Sequence, residues 1–281
     1  MERIGVLGLR RMGSAIARRM QAQGHHVLGW TRSGRAVDGV AMVSDLAKVI
    51  AQSDTLILSL LDDNAVADVL DACLAFDLSG KQIIETSTVV PTILQERIAR
   101  IEDKAATAVD APISGGPDLV AAGACGVFIG GDDTAATRAK ETLSAIAGRI
   151  FHIGPLGTGL AMKTINNSML QCYFSGLDDM MPLAKRAGIP LETAMTILSG
   201  GPAGVPMIAN RIPKVLGHDT TVGFTIAAVH KDNDVFQRVV QAYGLTLPML
   251  AAAGERQKSA LAKEMGGDDP AALISWAYAR D

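Results

Sequence analysis

The turn Gly8-Leu9-Arg10-Arg11-Met12-Gly13 constrains this chain more than any other segment. It follows a short apolar run, Arg3–Leu7, and opens an amphipathic stretch, Met12–Ala22, so strand, tight turn and helix come in direct succession. The same alternation continues for half of the chain. Further strands are expected at His26–Trp30, Thr55–Leu60, Gln82–Glu85, Ala108–Asp110, Gly126–Ile129 and Ile150–His152. Helical patterns at Asp45–Ala51, Ala65–Ala72, Thr92–Ile101 and Thr134–Ala147 separate them. Strands that are almost wholly apolar and divided by helices specify a parallel sheet covered on both faces.

After Gly157 the pattern changes. Residues 160–187 read as one long helix, and the remainder is helical with short Gly/Pro breaks. Pro182 lies inside the long helix, where it removes the bond to the carbonyl of Asp178 and predicts a kink or interruption. The expected class is therefore α/β: a doubly wound sheet over 1–156, then an all-helical domain over 157–281 joined to it by the long helix.

Composition removes several classes of function. A net charge of −3 exerts no long-range pull on nucleic acid or an anionic membrane. No run of eighteen apolar residues appears, and Met1-Glu2-Arg3 leads straight into a strand, unlike a secretory leader. Cys73, Cys125 and Cys172 have neither disulfide nor zinc spacing, so they read as small core residues in a reducing cytoplasm. There is no HExxH, CxxC, GxSxG or phosphate loop ending in Gly-Lys-Ser/Thr; no metal is expected and no histidine is given a role.

A turn of this kind, between strand and helix, is the fingerprint of a Rossmann dinucleotide site. The first glycine makes the turn, the second lets the backbone approach the pyrophosphate, and the third lets helix pack on strand. Gly8 and Gly13 fill the first and third places, while Arg10 fills the second. Arg10 can be a tolerated outward side chain, a steric obstacle, or an extra cation beside a phosphate. Strand 2 ends Trp30-Thr31-Arg32-Ser33. An acid there would hold the adenosine ribose of NAD and repel a 2′-phosphate, whereas Arg32, with Ser33 and Arg35, suits NADP(H). The alternative is a solvated surface arginine.

Three further segments carry chemistry. Asp110-Ala111-Pro112-Ile113-Ser114-Gly115-Gly116 ends in a turn whose hydroxyl and consecutive amides suit a carboxylate, although any glycine-rich turn looks similar. Lys163, Asn166 and Asn167 share one face at the start of the long helix. His230-Lys231-Asp232 reads first as a solvated helical face.

These segments, with Glu85-Thr86-Ser87-Thr88…Pro91 and Gly223-Phe224, give the chain its resemblance to the β-hydroxyacid dehydrogenase family. That group includes 3-hydroxyisobutyrate dehydrogenase, tartronate semialdehyde reductase and, more distantly, 6-phosphogluconate dehydrogenase and imine reductases. The resemblance implies an NADP(H)-dependent oxidoreductase with Lys163 as general acid/base. It further implies substrate binding by Ser114, Gly115, Gly116, Asn166 and Asn167. Cofactor contacts are expected from residues 8–13 (Gly8, Leu9, Arg10, Arg11, Met12, Gly13), from Thr31, Arg32 and Ser33, and from Leu60, Leu61, Thr88 and Lys231. A small-molecule substrate and a homodimer or homotetramer are implied as well. Two departures touch cofactor binding: Arg10, and Leu61-Asp62-Asp63-Asn64, which replaces a segment that usually carries proline. The open alternatives are an imine reductase, which commonly lacks the lysine, and a cofactor-binding protein with catalysis impaired by Arg10.

Overall fold

Nine strands form one sheet in the computed structural model, which describes residues 1–280. They are β1 (Arg3–Leu7), β2 (His26–Trp30), β3 (Ala41–Met42), β4 (Thr55–Leu58), β5 (Gln82–Glu85), β6 (Thr107–Asp110), β7 (Ile113–Ser114), β8 (Cys125–Gly130) and β9 (Ala147–Gly154). The order is β3-β2-β1-β4-β5-β6-β8-β7, with β9 also on β8. Strands β1 to β6 pair in parallel, so Leu7 lies between Trp30 and Leu58, and Glu85 stands opposite Asp110. The order reverses at β1, because β2 lies to one side of it and β4 to the other. That switch point opens a crevice at the strands' carboxyl ends, where the Gly8 turn sits.

The burial pattern follows from the sequence. Ile4, Val6, Ile57 and Ile84 face one core, while Leu7, Leu56, Leu58 and Ile83 face the other. Side chains alternate across the pleat, so strands apolar at every position must be covered twice. Helices α1 (Arg11–Ala22), α2 (Leu46–Ala51), α3 (Asp63–Cys73), α4 (Thr92–Gln95), α5 (Ile98–Glu102), α6 (Pro117–Ala122) and α7 (Asp133–Leu143) provide that cover. Two local expectations need correction. The helix expected at Thr92–Ile101 is two short ones, and β8 pairs antiparallel with β6 and β7. The two-residue β7 is too short to carry a periodic signal.

The chain divides into two compact units, Met1–Ile165 and the residues from Asn166 onward. The division falls inside α8 (Thr158–Arg186). Of the kink or interruption expected at Pro182, the interruption does not occur: the helix is continuous through it. Leu177, Met181 and Ala184 are buried on its inner side, and this packing outweighs the one bond lost at the proline. The second unit continues with α9 (Leu191–Gly200), α10 (Pro206–Ala209), α11 (Ile212–Val215), α12 (Ile226–Ala242), α13 (Pro248–Leu261) and α14 (Ala271–Ala279). Its core joins Leu177, Met181, Met195, Ile208, Val215 and Ile274. No helix among the described residues is long and apolar enough to cross a membrane. Cys73 and Cys125 are buried, Cys172 is half-buried, and all three are free thiols.

Candidate active site

The turn after β1 is shaped by its own chain at two of its three key positions. Gly8 has φ +95°, and a Cβ on Gly13 would stand 1.9 Å from the carbonyl oxygen of Gly8. Neither position tolerates a side chain. Arg10, between them, has φ −76° and ψ −164°, an ordinary extended conformation, and it caps α1 without a side-chain hydrogen bond. The Leu9 side chain is in the core, so only its backbone faces the turn. Its carbonyl accepts from Ser14 Oγ at 2.9 Å and from Arg35 Nη2 at 3.1 Å. The loop after β2 is thus fastened to the glycine turn. Arg32, by contrast, is exposed and meets Asp68 of α3 at 3.4 Å. Across the crevice, Leu60 N donates to Ser87 Oγ at 2.8 Å. Asp62 caps α3 through Ala65 N, and Asp63 accepts from Val90 N at 3.1 Å, so the acidic segment after β4 caps its own helix and ties down the loop after β5.

The second half of this unit is organised around Asp110, at the end of β6. Its carboxylate accepts from Gly157 N at 2.6 Å and from Leu160 N at 2.7 Å. Those amides belong to the start of α8, whose first N–H groups have no partner within the helix. The contact leaves no room for a side chain at Gly159, where a Cβ would stand 2.8 Å from Asp110 Oδ2. One turn further along, Lys163 is buried and donates from Nζ to the carbonyl oxygen of Ile113 at 2.7 Å. Ile113 immediately precedes Ser114, Gly115 and Gly116, so lysine and glycine loop adjoin. Gly116 then caps α6, with Pro117 in its first turn.

Comparison with known proteins adds the family. Residues 3–154 match the family described as the NAD binding domain of 6-phosphogluconate dehydrogenase. Residues 157–277 match that described as NAD-binding of NADP-dependent 3-hydroxyisobutyrate dehydrogenase. The chain belongs to the β-hydroxyacid dehydrogenase family. It is 28% identical over 267 residues to a probable 3-hydroxyisobutyrate dehydrogenase of Mycobacterium tuberculosis, covering 91% of each chain. It is 27% identical to a 2-(hydroxymethyl)glutarate dehydrogenase of Eubacterium barkeri, covering 97% of this chain and 93% of that one. A solved structure of Mycobacterium tuberculosis 3-hydroxyisobutyrate dehydrogenase with L-serine is similar at a TM-score of 0.90 and 27% identity, covering 99% and 100%.

As a member of this family the chain is an oxidoreductase with a nicotinamide-dinucleotide-binding Rossmann domain. The residues present fit such a group. The cradle at Gly8 and Gly13 is one that a Cβ would fill, and no side chain caps the α1 N-terminus that faces it.

Beside the Asp110 clamp lies a second carboxyl that sequence reading gave no role. Glu85 is fully buried; Oε1 accepts from Ser87 N at 2.7 Å, and Oε2 has no hydrogen-bond partner among the described residues. Burial, with the Asp110 charge adding to it, pushes its pKa up to about 8, and burial pushes Asp110 up to about 6 despite its backbone donors. Glu85 is therefore uncharged at neutral pH, which suits an oxygen without a donor. The sign of the linkage follows. An unfolded Glu85 ionises near 4.5 and the folded one near 8, so stability falls as pH rises through that window. Glu85→Gln should remove this loss. Its thermal midpoint relative to the parent is expected to rise by roughly ten degrees, about the effect of 4 kcal/mol, between pH 5 and pH 9. A difference that stays constant with pH would show that Glu85 is already ionised in the folded chain.

In the second unit, Asn166 Nδ2 donates to Asn167 Oδ1 at 2.9 Å, and Lys231 on α12 meets Asp232 at 2.9 Å. Little more than one turn further along α8, Gln171 accepts from the buried Asn233 of α12 at 2.7 Å. Asp110, Glu85, Ser87 and Asn233 are the organising residues that sequence reasoning left without roles. For the two acids a signal existed: each closes a buried apolar strand, Gln-Ile-Ile-Glu and Thr-Ala-Val-Asp.

Proposed function

We propose that this chain is an NADP(H)-dependent dehydrogenase or reductase acting on a small β-hydroxyacid or its semialdehyde, with Lys163 as general acid/base. The observation that carries this reading is the contact of buried Lys163 Nζ with the carbonyl oxygen of Ile113, beside Ser114. A proton donor and a carboxylate-binding loop are thereby adjacent. That is what a substrate with an oxygen to protonate and a carboxylate to grip requires. The relatives' names share this chemistry: 3-hydroxyisobutyrate and 2-(hydroxymethyl)glutarate both carry HOCH2 on the carbon next to a carboxylate.

A bound nicotinamide dinucleotide supplies or accepts the hydride. Residues 1–156 hold it, through Gly8, Leu9, Arg11, Met12 and Gly13 at the pyrophosphate and Arg10, Thr31, Arg32 and Ser33 toward the adenosine end. Leu60, Leu61, Thr88 and Lys231 complete its contacts. Ser114, Gly115 and Gly116 fix the substrate carboxylate, and Asn166 and Asn167 hold the substrate's other polar groups. Lys163 donates a proton to the oxygen of the carbonyl being reduced and takes it back in the reverse direction. Residues 157–281 form the substrate and dimerisation domain of a cytoplasmic homodimer or homotetramer. Exposed Met169, Met180 and Leu183 lie along one stripe of α8, which supports assembly.

The test is a panel of HOCH2–CH(R)–COO⁻ compounds with NADP+ and NAD+, and of semialdehydes and cyclic imines with the reduced forms. Turnover of the hydroxyacids and semialdehydes with NADP(H) is expected. Turnover of imines alone would replace this reading with an imine reductase.

A further inference from the structure

We infer that Arg10 is a selectivity residue for the cofactor's 2′-phosphate, an inference that rests on the NADP(H) reading above. The three glycine places of the turn are not equivalent. Gly8 and Gly13 are required by the chain's own backbone, through a positive φ and a 1.9 Å approach. The middle place carries ordinary angles, φ −76° and ψ −164°. A glycine there would answer only to the ligand, so exchanging it for arginine leaves the fold intact and changes what the ligand meets.

What it meets is an arginine groove. Arg10 is exposed and lines, with Arg11, Arg18 and Arg35, a groove of about 770 Å³ along α1 and the loop after β2. Arg19 also borders it, so five arginines face two carboxylates, Asp38 and Asp118. Three of the guanidinium groups are ordered by backbone oxygens: Arg35 by Leu9 at 3.1 Å, Arg18 by Asp38 at 3.0 Å and Arg19 by Ala145 at 2.9 Å. Carbonyl dipoles orient these charges without cancelling them, and an excess of ordered cations attracts a compact anion.

Position identifies the anion. The loop that brings Arg35 to the glycine turn leaves the end of β2, where a Rossmann domain holds the adenosine ribose. Arg32 at the same strand end is exposed and spends part of its charge on Asp68. The side of the ribose nearer Arg10 and Arg35 is thus the more cationic one. A 2′-phosphate there can accept from Arg10 without demanding close approach of the Arg10 backbone, which a side chain at this place denies to the pyrophosphate.

Calorimetry on the full chain tests this without turnover, with 2′,5′-ADP and 5′-ADP as probes for the parent, Arg10→Gly and Arg10→Lys. The parent should favour 2′,5′-ADP. Arg10→Gly should weaken 2′,5′-ADP on the order of tenfold, leave 5′-ADP unchanged or tighter, and flatten the salt dependence. Arg10→Lys should lie between. A loss for 5′-ADP as large as or larger than that for 2′,5′-ADP, which has no β-phosphate, would make Arg10 a contact of the 5′-phosphates, and tighter binding of both would make it an obstacle; either overturns the inference alone. A parent that binds both probes equally would overturn the NADP(H) preference with it. A parent that binds neither would overturn the dinucleotide reading itself.

Discussion

Lys163→Ala is expected to lower turnover roughly a hundred- to ten-thousandfold, the usual share of a positioned general acid, while dinucleotide affinity stays close to that of the parent. The expectation follows from where the ammonium is held. Nζ donates to a backbone carbonyl, Ile113 O at 2.7 Å, which orients it without taking its proton. A carboxylate in that place would fix the proton in a salt bridge, whereas a neutral acceptor leaves it transferable. The competing explanation is structural: the lysine could serve only to fasten α8 to β7. Lys163→Arg separates the two. A guanidinium keeps a donor for Ile113 O and the positive charge, yet it does not release a proton in the working range. Near-parental turnover in the arginine variant would remove Lys163 from acid/base chemistry. The expected result is a folded, cofactor-binding and inactive protein, with partial rescue of Lys163→Ala by added small primary amines.

The role proposed for Lys163 rests on a different sequence signal from that of the elements around it. The β1–α1 turn and the strands at 3–7, 26–30 and 82–85 declare themselves because local spacing and packing agree: apolar runs are buried on both faces, and the glycines obey their own backbone. Lys163 stands out because it lies in a recognisable segment, one helical turn from two amides. Where the decisive contact spans a long stretch of chain, sequence is mute. Asp110 acts on Gly157 and Leu160, and Arg35 acts on Leu9, through contacts that exist only after the sheet has formed. Pro182 illustrates the opposite failure. The local rule predicts a kink or an interruption, and the interruption is absent because Leu177, Met181 and Ala184 pack the helix on either side of the proline. Arg32 shows a third case, since its sequence position is right for a phosphate while its observed neighbour is Asp68.

Asp110→Asn should lower kcat on the order of ten- to a hundredfold with a smaller effect on KM, because it displaces the proposed proton donor, Lys163, rather than the proposed binding groups. Each carboxylate oxygen accepts one amide of the α8 start, at 2.6 and 2.7 Å. A carboxamide can satisfy one of them; its NH2 then opposes the other N–H, in a site too tight to turn away, with Gly159 and Gly130 packed against it. The first turn of α8 must shift, and Lys163 is only three residues beyond Leu160. The same clamp gives the parent an acid limb. Asp110 titrates near 6, raised by burial, so below that pH one oxygen becomes a donor and the clamp opens. Parental kcat should therefore fall below about pH 6, and Asp110→Asn, already without the charge, should lack that limb. Gly159→Ala offers an independent check, because its Cβ would stand 2.3 Å from the carbonyl oxygen of Phe128 and 2.8 Å from Asp110 Oδ2. It should reproduce the loss of kcat with the carboxylate still present. Parental kcat in both variants would show that the Asp110 clamp does not hold Lys163 in place.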